Sequence, residues 1–260
     1  MDNIPRIIKE TDDFAVVFKP AKMHSTPLKK NDNDNIFDWY KACLGHACNV
    51  EIMHRLDFET HGLVLFSRNE KSFNFFKELQ DRGEFIKEYS AIVTRNTEFE
   101  TENFQGFPPC SPCLESKILS AYATCNGVSR AGKKFENIFI ESYFRPYGPG
   151  RKLVRPVIED GKKHKEIAKD KGGFYRTEIT GVSGTCSEAS SNIFTVRIRR
   201  GFRHQIRCHL CWTGFPILND PLYGISQTSD RSLDLRAHAL FFADPSTGRQ
   251  CEFSIKPLLD

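Results

Sequence analysis

The apolar residues of this chain fall in short runs such as Phe14–Phe18 and Gly62–Phe66, each the length of a β-strand. None approaches the roughly 20 residues needed to cross a bilayer, so the pattern predicts a core built from strands. In the first run Phe14, Val16 and Phe18 alternate with Ala15 and Val17. All five are apolar, which predicts a strand covered on both faces, ending at Lys19-Pro20. The second run opens the best-defined unit. Gly62–Phe66 leads into NEKSFNFFKELQDRG, where Phe73, Phe76 and Leu79 or Gln80 recur at helical spacing and Phe75 pairs with Leu79. Asn69 is placed to cap this helix and Gly83 to end it at positive φ. A strand over Phe85–Val93 follows, and the helix's phenylalanines read as core.

Elsewhere, Lys29–Asn35 reads as a polar loop and residues 36–48 as a helix capped by Asn35. Residues 94–112 read as a Pro-rich connection, Ser116–Thr124 as a strand and Gly148-Pro149-Gly150 as an exposed turn. Strands are predicted at Tyr175–Ile179 and Ile193–Ile198, with a small, polar, mobile loop over Gly181–Ser191 between them. A helix is predicted over Arg203–Thr213, closed by Gly214. Ala237–Phe242 and Cys251–Ile255 flank an Asp-Pro-Ser-Thr-Gly turn suited to a hairpin. Many strands with few long helices predict an α+β fold around a mixed sheet. With no clean linker and no internal repeat, residues 1–260 read as a single domain with an elaborated basic region at about 126–190.

The 22 phenylalanines and 39% apolar content supply a substantial core, and 27% charged residues argue against a membrane protein. No secretory signal is read at the N-terminus, and nine cysteines fit a reducing, cytoplasmic setting with free thiols. Two pairs have C-x-x-C spacing, Cys110/Cys113 and Cys208/Cys211, but unligated thiols are the expectation and no metal is assigned. Net charge is +4, concentrated locally: Arg145 to Arg176 holds ten Lys or Arg against four acidic residues. Such a segment can follow a phosphate backbone, or it can be a solvated insertion.

Three clusters can carry chemistry. In His54-Arg55-Leu56-Asp57 an acid stands just ahead of a Gly-led apolar strand, where a side chain can face a cleft; a loop salt bridge is the plainer reading. In GFRHQIRCHL, Arg203 and Arg207 are i,i+4 if helical, His204 shares the side of Arg207, and Ile206 and Leu210 anchor the helix. A guanidinium there suits a phosphate or a buried carboxylate, against the alternative of a basic surface helix. In Lys87-Glu88-Tyr89, the tyrosine shares a strand face with Phe85 and Lys87, which on its own suggests packing. The turn-rich stretch Gly214–Gly224 says only that a rigid loop follows the helix.

Taken in order, FAVVFKPAKMHSTP, HRLDFETHGLVLFSRNE, FIKEYSAIV, GFRHQIRCHLCWTGFPILNDPLYG and LDLRAHALFFADPSTG resemble the RluA-type family of RNA pseudouridine synthases. The resemblance spans about residues 14–248 and is loose over 94–190. It implies the pseudouridine synthase catalytic fold, a mostly antiparallel mixed sheet flanked by helices and loops with the active-site cleft across it. It implies Asp57 as the essential aspartate, Arg55 as the arginine that flips the target nucleotide, Tyr89 as the tyrosine packed on the uracil and Arg207 as the cation paired with the aspartate. His54, Arg203 and His204 lie in the same motifs and read as substrate-binding; Arg151, Lys152 and Arg155 read as RNA contacts in the basic region. The implied reaction breaks the N1–C1′ bond of uridine, turns the base and rejoins it through C5. An ionised carboxylate attacks the sugar or removes a sugar proton to give a glycal-like intermediate, and the sequence is consistent with either. No cofactor is implied.

The chain departs from the family pattern at His61, where the family has Ser, and at Phe202, where it has Arg-Thr before the His-Gln. No S4-type RNA-binding domain fits before Phe14. The expected partner is structured RNA, rRNA or tRNA, bound by a monomer with no membrane. An unstacked target favours loops over duplex. The alternatives are a non-catalytic RNA-binding protein on the same scaffold, which predicts loss of the Asp57, Tyr89 or Arg207 types, and a glycosidase, which needs two paired carboxylates.

Overall fold

In the computed structural model, the described residues are 4–28, 34–45, 49–95, 107–125, 136–158, 174–184, 191–224 and 231–258. In chain order they form β1 (Arg6–Glu10), β2 (Phe14–Lys19), α1 (Ile36–Cys43), β3 (Glu51–Ile52), β4 (His61–Ser67), α2 (Glu70–Asp81) and β5 (Ile86–Thr94). Then come α3 (Pro112–Cys125), β6 (Ile138–Tyr147), β7 (Leu153–Val157), β8 (Tyr175–Gly184), β9 (Ser191–Ile198), α4 (Gln205–Trp212), β10 (Leu235–Ala243) and β11 (Gln250–Ser254). The chain divides into two compact units, Met1–Tyr89 with Leu235–Pro257, and Ser90–Asp234 with Leu258–Asp260. This is an α+β fold in which antiparallel pairs predominate.

In the first unit the strand order is β1-β2-β4-β10, with β3 on β4 and β11 on β10. All these pairs are antiparallel except β4–β10, which is parallel with Ala237 opposite Gly62. A Cβ on Gly62 would lie 2.2 Å from the Ala237 carbonyl oxygen, and its φ is +132°. Only glycine lets the two backbones approach this closely. β2 and β4 are buried along their whole length, as the apolar runs Phe14–Phe18 and Gly62–Phe66 within them require. Beneath them Phe14, Phe76, Phe85 and Phe242 meet edge to face at ring-centroid distances of 5.3–6.2 Å. The expectation for α2 holds in detail: the Asn69 side chain accepts from the Ser72 N–H, Gly83 takes φ +69°, and Phe76 and Leu79 are buried while Phe73 and Phe75 pack against the same core. Asn35 caps α1 in the same way through the Asp38 N–H.

In the second unit the order is β9-β8-β6-β7, antiparallel throughout, with α3 and α4 packed on its strands. Here several expectations are corrected. The stretch Ser116–Thr124 is helical, not extended; it belongs to α3, where Ile118 is fully buried. The basic turn at Gly148–Gly150 joins two strands, β6 and β7, that polar residues conceal in the sequence. Residues 181–184 continue β8 and Ser191 opens β9, leaving 185–190 outside the described residues. The helix predicted from Arg203 begins at Gln205, with His204 in the left-handed region at φ +57°. Among the described residues no helix is long and apolar enough to cross a membrane.

Candidate active site

Asp57 lies in the first unit, in the connection between β3 and β4. Its neighbours are pinned on both sides. The Ser25 hydroxyl donates to the Leu56 carbonyl at 2.8 Å and accepts from the Leu56 N–H at 2.9 Å. The Phe58 carbonyl accepts from the Lys22 N–H at 2.8 Å and from Lys19 Nζ at 3.5 Å. The Lys19 ammonium has no exposed surface and also donates to the carbonyls of Met23 at 2.7 Å and Pro20 at 2.9 Å. Burial pulls its pKa down to about 7, against the opposing pull of Asp57 and Glu59. The half-buried Asp57 carboxylate is therefore carried on a backbone fixed one residue before and one after it.

Tyr89, on β5, is buried. Burial first, and then the Asp57 charge, raise its phenol well above the ordinary tyrosine value, so Tyr89 stays protonated at any physiological pH. Lys87, also buried, stands 4.6 Å over the Phe85 ring with its pKa lowered by burial to about 8. His54 accepts the Leu65 N–H at Nε2, 3.2 Å, and packs edge-on to Phe85. Burial, then the charge of Lys87, hold the ring neutral, so His54 supports β4 and the loop as a hydrogen-bond acceptor. Arg55 is exposed. His61, the departure from the family pattern, accepts from Arg236 Nε at 2.9 Å across the β4–β10 pair.

Arg207 lies in the second unit on α4, whose eight residues are all buried, so the basic surface helix is ruled out. The guanidinium is 2% exposed and donates from Nε and Nη2 to the two oxygens of Asp220 at 2.8 and 2.7 Å. Asp220 Oδ1 also accepts the N–H groups of Leu222 and Tyr223. Such a bidentate buried pair holds the guanidinium plane rigidly, and removing one partner strands a buried charge at about 3–5 kcal/mol. The guanidinium lies 5.4 Å over the Tyr223 ring, whose hydroxyl meets His204 Nδ1 at 3.2 Å. His204 and Arg207 thus converge on Tyr223, although His204 is outside the helix. The Gln205 side chain accepts the Phe202 N–H and donates to the Arg176 carbonyl and to Thr177. Arg203 is not in an i,i+4 relation on a helix; it precedes α4 and donates to the carbonyls of Arg151 and Leu153. Arg151 and Lys152 are exposed beside this contact and Arg155 is half-buried.

Two residues that hold candidate groups in place, one in each unit, are not evident from sequence. Asp220 sits in the stretch that by its residues reads only as a rigid loop, and the acid ahead of Pro-Leu-Tyr-Gly is the available signal. Lys19 reads as the end of a strand, and its signal is a lysine closing an all-apolar run. Cys208 and Cys211 are buried free thiols with pKa values pushed well above normal by burial. Among the described residues no group of three or more His, Cys, Asp or Glu is placed to hold a metal.

A family model described as RNA pseudouridylate synthase matches residues 13–212, and the chain belongs to that family. It is 24% identical over 255 residues to an uncharacterized RNA pseudouridine synthase of Mycoplasma pneumoniae, covering 95% of this chain and 65% of that one. It is 23% identical over 244 residues to ribosomal large subunit pseudouridine synthase D of Buchnera aphidicola, covering 90% and 60%. RNA pseudouridine synthase 7 of Arabidopsis thaliana is 26% identical over 264 residues, covering 97% and 54%. The chain thus spans less than two thirds of the length of these relatives. The fold is shared with human RNA Pseudouridylate Synthase Domain Containing 1, at a TM-score of 0.63 and 16% identity over 98% of this chain and 84% of that one. Human RNA Pseudouridylate Synthase Domain Containing 4 follows at 0.59 and 18%, over 97% and 88%.

Proposed function

We propose that this protein isomerises uridine to pseudouridine in structured RNA, rRNA or tRNA, with Asp57 acting on the sugar. The observation that carries the reading is the aspartate loop, where Ser25 and Lys19 fix the backbone on either side of a carboxylate whose charge is felt by the Tyr89 phenol. Preorganisation of this kind suits a nucleophile or base that must meet one sugar atom in one orientation. Tyr89 enters as a neutral ring that packs on the detached uracil and offers an O–H donor. In this reading Asp220 holds the Arg207 guanidinium in place. Arg55 enters the space left by the flipped nucleotide, and Arg151, Lys152 and Arg155 hold phosphates. The protein acts as a monomer and needs no cofactor, because the reaction involves no redox change and no external group.

The test is to incubate RNA lacking the modification with wild type and with Asp57→Asn, then to map pseudouridine by its specific chemical labelling. Wild type is expected to modify a defined uridine and Asp57→Asn to lose at least about a thousandfold in rate. No product from wild type on any RNA would overturn the reaction, and equal products from both proteins would remove Asp57 from its role.

A further inference from the structure

Phe58 follows Asp57 directly, and its ring is not part of the core. The core phenylalanines of the first unit, Phe14, Phe76, Phe85 and Phe242, are at most 1% exposed, whereas Phe58 is 40% exposed. A single exposed ring is ordinary on a protein surface. This one is held in place. The Phe58 carbonyl accepts from the Lys22 N–H and from Lys19 Nζ, and Ser25 bonds both backbone groups of Leu56. The segments 22–25 and 56–58 are thereby tied together at points on either side of His24. The His24 ring lies against the Phe58 ring, with centroids 4.5 Å apart and planes tilted by 36°. His24 is fixed in turn, because its carbonyl accepts from the Ile36 N–H at 3.0 Å. The exposed part of the Phe58 ring is therefore a surface of set position, backed by a second ring. The charged groups of this loop are Lys19, Lys22 and Arg55 against Asp57 and Glu59. Three cations against two acids leave little net charge to hold a phosphate, so the ring is what this point offers to a ligand.

We propose that the Phe58–His24 pair is a stacking site for the base next to the target uridine, so that the protein selects a uridine whose neighbour is unpaired. This rests on the reading of Asp57 as the group that acts on the sugar. Consecutive Cα atoms are about 3.8 Å apart, so a nucleotide joined to a sugar at Asp57 comes within reach of the Phe58 ring. That adjacency is the reason for choosing a base over a protein side chain as the occupant. Stacking on an aromatic ring is open to every base. The neighbour's identity is therefore read weakly and its freedom from a duplex strongly, because a base stacked and paired on both sides has no free face.

The experiment measures binding of the full chain to two short fluorescent RNA strands of equal length and charge, an oligouridylate and its abasic counterpart. Wild type should prefer the oligouridylate. Phe58→Leu keeps apolar bulk and removes the ring. It should raise Kd for the oligouridylate about fivefold or more, while Kd for the abasic strand, the salt dependence and thermal unfolding stay as in wild type. Phe58→Trp keeps a ring and should bind the oligouridylate at least as tightly as wild type. Wild-type affinity for the oligouridylate in Phe58→Leu would overturn the site. So would equal losses on both strands, a loss in Phe58→Trp that matches the leucine variant, or no preference of wild type for bases. Pseudouridine mapping on the same proteins separates this inference from the reaction. Ring-dependent binding with no pseudouridine on any RNA would uphold the stacking site and overturn the reaction assigned to Asp57. Pseudouridine formation together with unchanged oligouridylate affinity in Phe58→Leu would leave the reaction standing and overturn the stacking site.

Discussion

Lys19 sits with no exposed surface among the carbonyls of Pro20, Met23 and Phe58, and this is where the aspartate loop responds to pH. Its folded pKa of about 7 lies below the ordinary 10.5. Between those values the unfolded chain holds a proton that the folded chain has released, so unfolding takes up a proton and stability rises with pH across that window. His209 extends the trend to acid. Burial lowers its pKa to about 3, so stability falls as pH drops from 6.5 towards that value and the unfolded ring charges. The urea midpoint of wild type is expected to climb from about pH 6.5 to about pH 8.5, with Lys19→Met losing most of the climb above neutrality. A flat midpoint in wild type would contradict the burial of this amine. Asp57, Tyr89 and Arg207 are singled out as candidates in the sequence because each sits in a stretch that resembles a family motif. The roles of Lys19 and Asp220 are not. An ammonium at the end of an apolar strand can equally snorkel to water, and nothing in the order of residues shows that the turn after Pro20 delivers its carbonyls to that amine.

Elements with strong local signals form where they are expected. β2, β4, α2 and β5 are readable because complete apolar runs, an Asn cap and a positive-φ glycine act over a few residues. Ser116–Thr124 reads as a strand in the sequence because Ile118, Tyr122 and Thr124 favour a pleated setting, whereas packing on β6 and β8 decides for the helix. β6 and β7 escape notice because Arg145 and Pro146 in β6 and Arg155 and Pro156 in β7 mask the alternation. Gly62 offers the sharpest check on an element. A methyl group there collides with the Ala237 backbone and is forced to φ +132°, so Gly62→Ala should cost at least about 2 kcal/mol. Chemical denaturation measures it. A near-neutral result would mean that β4 and β10 do not approach as closely as described.

The first unit is discontinuous: residues from both ends of the chain build it. β10 pairs with β4, and β10 and β11 bring Leu240, Phe242, Phe253 and Ile255 to the core that Phe14, Phe76 and Phe85 begin. Deleting residues 235–260 should therefore abolish cooperative unfolding of that unit, seen as loss of the thermal transition in near-UV circular dichroism. A truncated chain that melts as wild type would show that the early residues close the core unaided. Periodicity and caps are enough to establish an α+β chain from the amino-acid order, and the resemblance of its motifs points to the pseudouridine synthase family and singles out Asp57, Tyr89 and Arg207 as candidate groups. The return of β10 to β4, the buried Arg207–Asp220 fork and the Lys19 clamp emerge only on folding. Each depends on a partner distant in sequence or on a carbonyl that every residue carries, and such a group leaves no mark in the order of side chains.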